Sequence, residues 1–109
     1  MRRPAAVVAA VLIALMAGCG GSHAGDAPPS NVVVLKNIAF NPATVTIHAG
    51  QQVIWKFQDD GVPHNVTGTG FGSTIMSSGT YVHAFSVPGT YRYQCTIHSG
   101  MTGTVVVTQ

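Results

Sequence analysis

His64 and the segment Cys95-Thr96-Ile97-His98-Ser99-Gly100-Met101 contain the side chains of this sequence best suited to chemistry. Each is ordinary alone. A single His at a strand end is more often structural than a ligand, a lone Met usually belongs to a core or its rim, and a Cys near a His arises by chance. In a chain with five His and four Met, however, a thiolate, an imidazole and a thioether at three-residue spacing form a coherent donor set. Two imidazoles and a thiolate in a trigonal arrangement, with a weak axial thioether, suit one copper ion cycling between Cu(I) and Cu(II). Four protein ligands also leave no open position. A catalytic metal needs a vacancy for substrate, whereas electron transfer needs none. Zinc fits less well, because a thioether is a poor zinc ligand and closed structural zinc sites favour more thiolates.

The elements that position these residues are strands. From residue 31 onward apolar residues alternate with period two, and no window of helical length there shows the three-to-four spacing of an amphipathic helix. The expected fold is all-β: a two-sheet Greek-key β-sandwich of about seven strands. The strands fall near Asn31 to Lys36, Thr44 to His48, Gln51 to Phe57, Asn65 to Gly68, Tyr81 to Val87, Thr90 to Gln94 and Thr104 to Thr108. Val45/Ile47, Val53/Trp55/Phe57, Val82/Ala84 and Val105/Val107 mark their alternating faces, rich in β-branched and aromatic residues. Turn chemistry at Asn41-Pro42, Ala49-Gly50, Asp60-Gly61 and Pro88-Gly89 separates them. The Gly/Ser/Thr-rich stretch from Gly68 to Gly79 reads as a long loop. Cys95 ends one strand and Thr104 begins the next, so residues 95–103 form a tight loop that can turn three side chains toward one point. Pro63 fixes the backbone ahead of His64, which opens a strand able to lie beside that loop.

Phe40-Asn41-Pro42, Ala49-Gly50 with Val53 and Trp55, Pro63-His64-Asn65, Gly89-Thr90-Tyr91 and the C-x-x-H-x-x-M loop together resemble the cupredoxin family from Val32 to the C-terminus. The two-residue gap between His98 and Met101 is similar to that of amicyanin and shorter than that of plastocyanins and pseudoazurins. The resemblance implies a mononuclear type 1 copper site with His64, Cys95, His98 and Met101 as ligands. It also implies that Asn65 helps hold the thiolate by hydrogen bonding and ties the two ligand loops together, with Thr96 as its partner.

The N-terminal third carries different information. Arg2 and Arg3 precede a small-apolar run from Ala5 to Gly18, the layout of a secretory signal peptide over residues 1–18. Fourteen apolar residues fall short of the roughly 20 that a spanning helix needs. Leu15-Met16-Ala17-Gly18-Cys19 resembles a bacterial lipobox, with Met16 where Leu is usual, and implies a lipid on Cys19 that anchors the exported protein at the outer face of a cell membrane. Residues 19–30 then form a flexible tether, in which His23 reads as a solvated residue, and residues 31–109 form the copper-binding domain. With Cys19 committed to lipid, Cys95 is left as a lone thiol in an oxidising compartment.

Charged residues are only 7% of the sequence. From Cys19 onward Lys36, Lys56 and Arg92 balance Asp26, Asp59 and Asp60, so the mature chain is formally neutral. Without a Lys/Arg cluster the chain lacks the electrostatic footprint of nucleic-acid binding. The expected partners are instead a redox protein donor and acceptor, docking through an apolar rim near His98. Phe71, Ile75 and Met76 either contribute to that rim or cap the core. His48 and His83 read as solvent-facing or structural, and Asn65-Val66-Thr67 is discounted as a glycosylation sequon. The function expected is single-electron transfer between exported or membrane-bound partners, with copper carriage or storage as the alternative. The mature chain's two Met residues disfavour that alternative. No His-x-His motif occurs of the kind a second, catalytic copper site would need, so the chain is not expected to be an enzyme.

Overall fold

The computed structural model describes residues 31–109. The expected signal peptide, Cys19 and the tether to residue 30 lie outside the described residues. Among the described residues there are nine strands: β1 Val32–Leu35, β2 Phe40–Asn41, β3 Thr44–His48, β4 Gln52–Phe57, β5 Thr67–Gly68, β6 Phe71–Gly72, β7 Gly79–Ala84, β8 Gly89–Gln94 and β9 Thr102–Thr108. They form a four-stranded sheet in the order β2-β1-β4-β7 and a five-stranded sheet in the order β3-β9-β8-β5-β6. The chain repeatedly crosses between the sheets. Both are therefore mixed, with β1 parallel to β4 and β3 parallel to β9, while the remaining pairs are antiparallel. This is the two-sheet all-β architecture that the period-two alternation predicts. Among the described residues, no helix is long and apolar enough to cross a membrane.

The inward positions of β1, β3, β4 and β9 are the alternating Val33/Leu35, Val45/Ile47, Val53/Trp55/Phe57 and Val105/Val107, all buried. Trp55 is fully buried at the centre, with Tyr93 edge-on at 5.3 Å, Tyr81 at 5.4 Å and Phe71 stacked at 6.0 Å. Two glycines make room for this cluster. Gly68, Tyr93 and Gly103 are neighbours across the five-stranded sheet. A Cβ on Gly103 would run into the Tyr93 ring, and one on Gly68 into the Phe71 ring. At the far end of the sandwich, the Tyr91 hydroxyl donates to the Val87 carbonyl four residues upstream. This bond closes the β7–β8 corner much as a tyrosine corner does in other sandwiches.

Three details depart from the strand expectations. Two additional two-residue strands, β2 and β6, are present, and the stretch read as a long loop from Gly68 begins as the β5–β6 hairpin. Phe71 anchors that hairpin by packing on Trp55, Phe85 and Tyr93. On β7 and just beyond it, Tyr81, His83 and Phe85 turn inward while Val82 and Ala84 are exposed, because the larger rings cover more of the apolar centre. His83 is accordingly structural, stacked on Phe71 at 5.2 Å. His48 is exposed beside the Thr108 hydroxyl.

The Tyr93 hydroxyl and the Trp55 indole nitrogen are buried without hydrogen-bond partners. Burial disfavours the phenolate and pushes the Tyr93 pKa up to about 12. An unfolded tyrosine ionises near 10, so the unfolded state loses this proton first. The Tyr93 contribution to stability is thus complete below about pH 10 and declines as pH rises toward 12. Denaturant unfolding at successive alkaline pH values should show a steeper loss for the wild type than for Tyr93→Phe. Because the lost hydroxyl has no partner, the variant should match or exceed wild-type stability at neutral pH. Identical alkaline slopes would contradict this reading.

Candidate metal centre

Two segments meet at one end of the sandwich. The first is the β8–β9 connection. Beyond the Gln94–Thr102 pair, the Cys95 amide donates to the Met101 carbonyl at 2.9 Å and the Met101 amide to the His98 carbonyl at 3.2 Å. The second bond closes a four-residue turn with Gly100 third, at φ 83° with open space around it. The glycine is needed there for the left-handed backbone of a type II turn, not for want of room. The turn puts Cys95, His98 and Met101 on one short arc. Cys95 and Met101 are buried, His98 is half-buried, and Ile97 beside it is exposed.

The second segment carries His64. Its amide donates to the Met76 carbonyl at 2.9 Å and its carbonyl accepts the Met76 amide at 2.8 Å, an isolated antiparallel bridge. The regular strand β5 therefore starts only at Thr67, not at Asn65. The Val66 amide is taken by the Ser73 hydroxyl and the Asn65 side chain reaches across to Thr96. Asn65 Nδ2 donates to Thr96 Oγ1 at 2.9 Å and the Thr96 amide donates to Asn65 Oδ1 at 2.8 Å, so one amide side chain bonds the Cys95 loop twice. Of the residues left open between core and rim, Phe71 is half-buried and packed against the core. Met76 has the same standing, and Ile75 is exposed.

Together these segments bring His64, Cys95 and His98 to one point. His64 Nδ1 and His98 Nδ1 are 3.1 Å apart, and Cys95 Sγ lies 3.8 Å from the first and 3.5 Å from the second. A point equidistant from these three atoms is roughly 2 Å from each, close to ordinary metal–imidazole and slightly under metal–thiolate distances. With Nδ1 lone pairs and a thiolate turned toward one another, the three donors repel at these distances, and a cation between them relieves that repulsion. The His/Cys/His group fits a single copper ion, which soft thiolate and imidazole donors both suit.

One contributor to the site escapes the sequence reading. His64 Nε2 donates to Asp59 Oδ2 at 2.8 Å, inside the protein. The His64 hydrogen bond, reinforced by the Ile38 and Asn37 amides, lowers the Asp59 pKa to about 2 against desolvation. Asp59 belongs to an Asp-Asp-Gly turn and precedes His64 by five residues. That spacing has no motif value, and the contact is visible only once the turn folds back.

The cupredoxin-like domain family matches residues 7–107, and the chain belongs to that family. It is 35% identical to amicyanin-alpha of Methylorubrum extorquens over 113 residues, covering 94% of each chain. It is 34% identical to plastocyanin of Scenedesmus fuscus over 86 residues, covering 64% of this chain and 87% of that one. Among solved structures it resembles the Cu(I) form of an amicyanin variant at TM-score 0.64 and 28% identity, covering 70% and 79% of the two chains. A purple cupredoxin from Nitrosopumilus maritimus aligns at TM-score 0.63 and 25% identity, covering 71% and 98%.

The Asn65–Thr96 pair predicts a measurable cost. Asn65→Ala removes two hydrogen bonds between the ligand segments and strands the Thr96 amide. Stability should fall by about 1–3 kcal/mol in denaturant unfolding. A variant as stable as the wild type would show that the pair does not hold the segments together.

Proposed function

We propose that this chain is a mononuclear type 1 copper protein carrying single electrons between exported redox partners. The observation that supports it most is the convergence of His64 Nδ1, Cys95 Sγ and His98 Nδ1 within 3.8 Å. Copper held there supplies a one-electron Cu(II)/Cu(I) couple. Met101, buried in the same turn, is proposed as the weak axial ligand that tunes the potential. Asn65 is proposed to hold the thiolate loop through Thr96. The relatives named amicyanin and plastocyanin agree with this assignment.

The route for the electron is the half-buried His98 edge. It is the ligand ring that comes closest to solvent, whereas His64 is fully buried. Exposed Ile97 beside it, with Pro63 and Ile75 also exposed, supports an apolar docking rim there for both donor and acceptor. Buried Cys95, His64 and Met101 favour retention of the metal over its release, which argues against copper carriage. The signal peptide over residues 1–18, the lipid on Cys19 and the tether to residue 30 complete the proposal. They rest on the apolar run and the small residues before the cysteine. A lipid contributes roughly 0.8 kcal/mol per buried methylene, so several chains anchor firmly without a spanning helix.

Two outcomes test the reading. Met101→Gln should retain copper and a visible thiolate-to-copper band while lowering the reduction potential, because a harder oxygen donor favours Cu(II). Loss of copper, or an unchanged potential, would favour copper carriage over electron transfer. In a bacterial host, Cys19→Ala should release the protein from the membrane fraction or leave an uncleaved, unlipidated precursor. Normal processing and retention in the variant would refute lipid attachment at Cys19.

A further inference from the structure

The connection between β1 and β2 has an unusual backbone. Asn37 and Ile38 are consecutive non-glycine residues at φ 57° and 54°. The left-handed region is uncommon for any side chain and markedly unfavourable for a β-branched one such as Ile. Consecutive amides in such a turn point to one side and create a small concavity for an anion. A carboxylate of this chain occupies it. The Asn37 amide donates to Asp59 Oδ1 and the Ile38 amide to Asp59 Oδ2, both at 2.9 Å. The same Oδ2 accepts His64 Nε2–H at 2.8 Å.

We propose that Asp59 is a positioning residue for the metal centre, braced by the Asn37–Ile38 turn, which fixes the tautomer and ring orientation of His64. The inference rests on the copper reading above. An ionised carboxylate only accepts hydrogen bonds, so the contact requires the proton on Nε2 and leaves the Nδ1 lone pair aimed at Cys95 and His98. The two amide bonds stop the carboxylate from rotating away. The strained turn thus has a specific role: it holds the group that holds the ligand. The negative charge of the carboxylate beside the ligand ring also favours the more highly charged Cu(II) over Cu(I).

Asp59→Asn tests this directly. Its side-chain NH2, if turned toward His64, demands an acceptor at Nε2 and moves the ring proton to Nδ1, where it opposes ligation. If the carbonyl oxygen faces His64 instead, the negative charge is still lost. Full-length variant loaded with copper should bind Cu(II) some 10- to 100-fold more weakly in chelator competition. Its reduction potential should rise by about 59 mV for each tenfold by which Cu(II) binding weakens more than Cu(I) binding. Asp60→Asn removes the neighbouring exposed carboxylate, which pairs with Lys36 at the surface, and should keep both quantities within about twofold of wild type, well short of the loss expected for Asp59. Unchanged affinity and potential in Asp59→Asn, or equal shifts in Asp60→Asn, would overturn the proposal.

If Asp59→Asn does not fold, the wild type decides. Long-range 1H–15N NMR of the metal-free full chain should show His64 protonated at Nε2, and protonation at Nδ1 would overturn the assignment. That measurement does not depend on copper. Wild-type protein that binds no copper with a thiolate band would refute the copper reading alone.

Discussion

Three electron-rich atoms held within 3.8 Å of one another are the constraint around which this fold is organised. In their ligating forms, two imidazole lone pairs and a thiolate repel one another at such distances, so their positions must be imposed by the protein. The structure imposes them through backbone bonds at the base of each ligand: the Cys95–Met101 and His98–Met101 bonds in one segment, and the double His64–Met76 bridge in the other. Side-chain bonds from Asn65 and Asp59 complete the frame. Few freedoms remain for any of the three donors.

The frame transmits its rigidity from the sandwich. His64 precedes β5 and Cys95 follows β8, and these strands pair at Thr67–Gln94 and Gly68–Tyr93. Their register therefore sets the distance between the two ligand segments. Behind them, Tyr93 and Phe71 lie over glycines and close on Trp55. This packing fixes the spacing of the sheets on which both segments rest. A domain of this size has a thin core, and a bound metal adds to its stability by mass action, favouring the folded state that presents its ligands.

Much of this was legible in the sequence because it is written at short range. Period-two alternation located the long strands, and Cys95, His98 and Met101 stand three residues apart within a single turn. His64 stood out through its place after Pro63, although its meeting with Cys95 is a long-range event. The unseen parts have no local signature. A two-residue strand such as β2 or β6 is shorter than any periodicity, and it forms because a neighbour offers a ladder. On β7, Val82/Ala84 and Tyr81/His83 both alternate. The inward face is chosen by the rings that Trp55 can accept, which the strand's own residues do not encode. Asp59 entered the sequence reading only in the charge balance, and its contact with His64 depends on the strained Asn37–Ile38 turn brought alongside by β1 pairing with β4.

A site imposed by the fold should change little between oxidation states, which is the property an electron carrier needs for fast transfer. The direct test is a pair of crystal structures at neutral pH, one of the Cu(II) protein and one of the Cu(I) protein. The account predicts that His64, Cys95 and His98 superpose within about 0.5 Å, the tolerance to which a preorganised site is held. Departure of His98 or Cys95 from the ion on reduction would contradict it, because the donor positions would then be set by the metal and not by the protein.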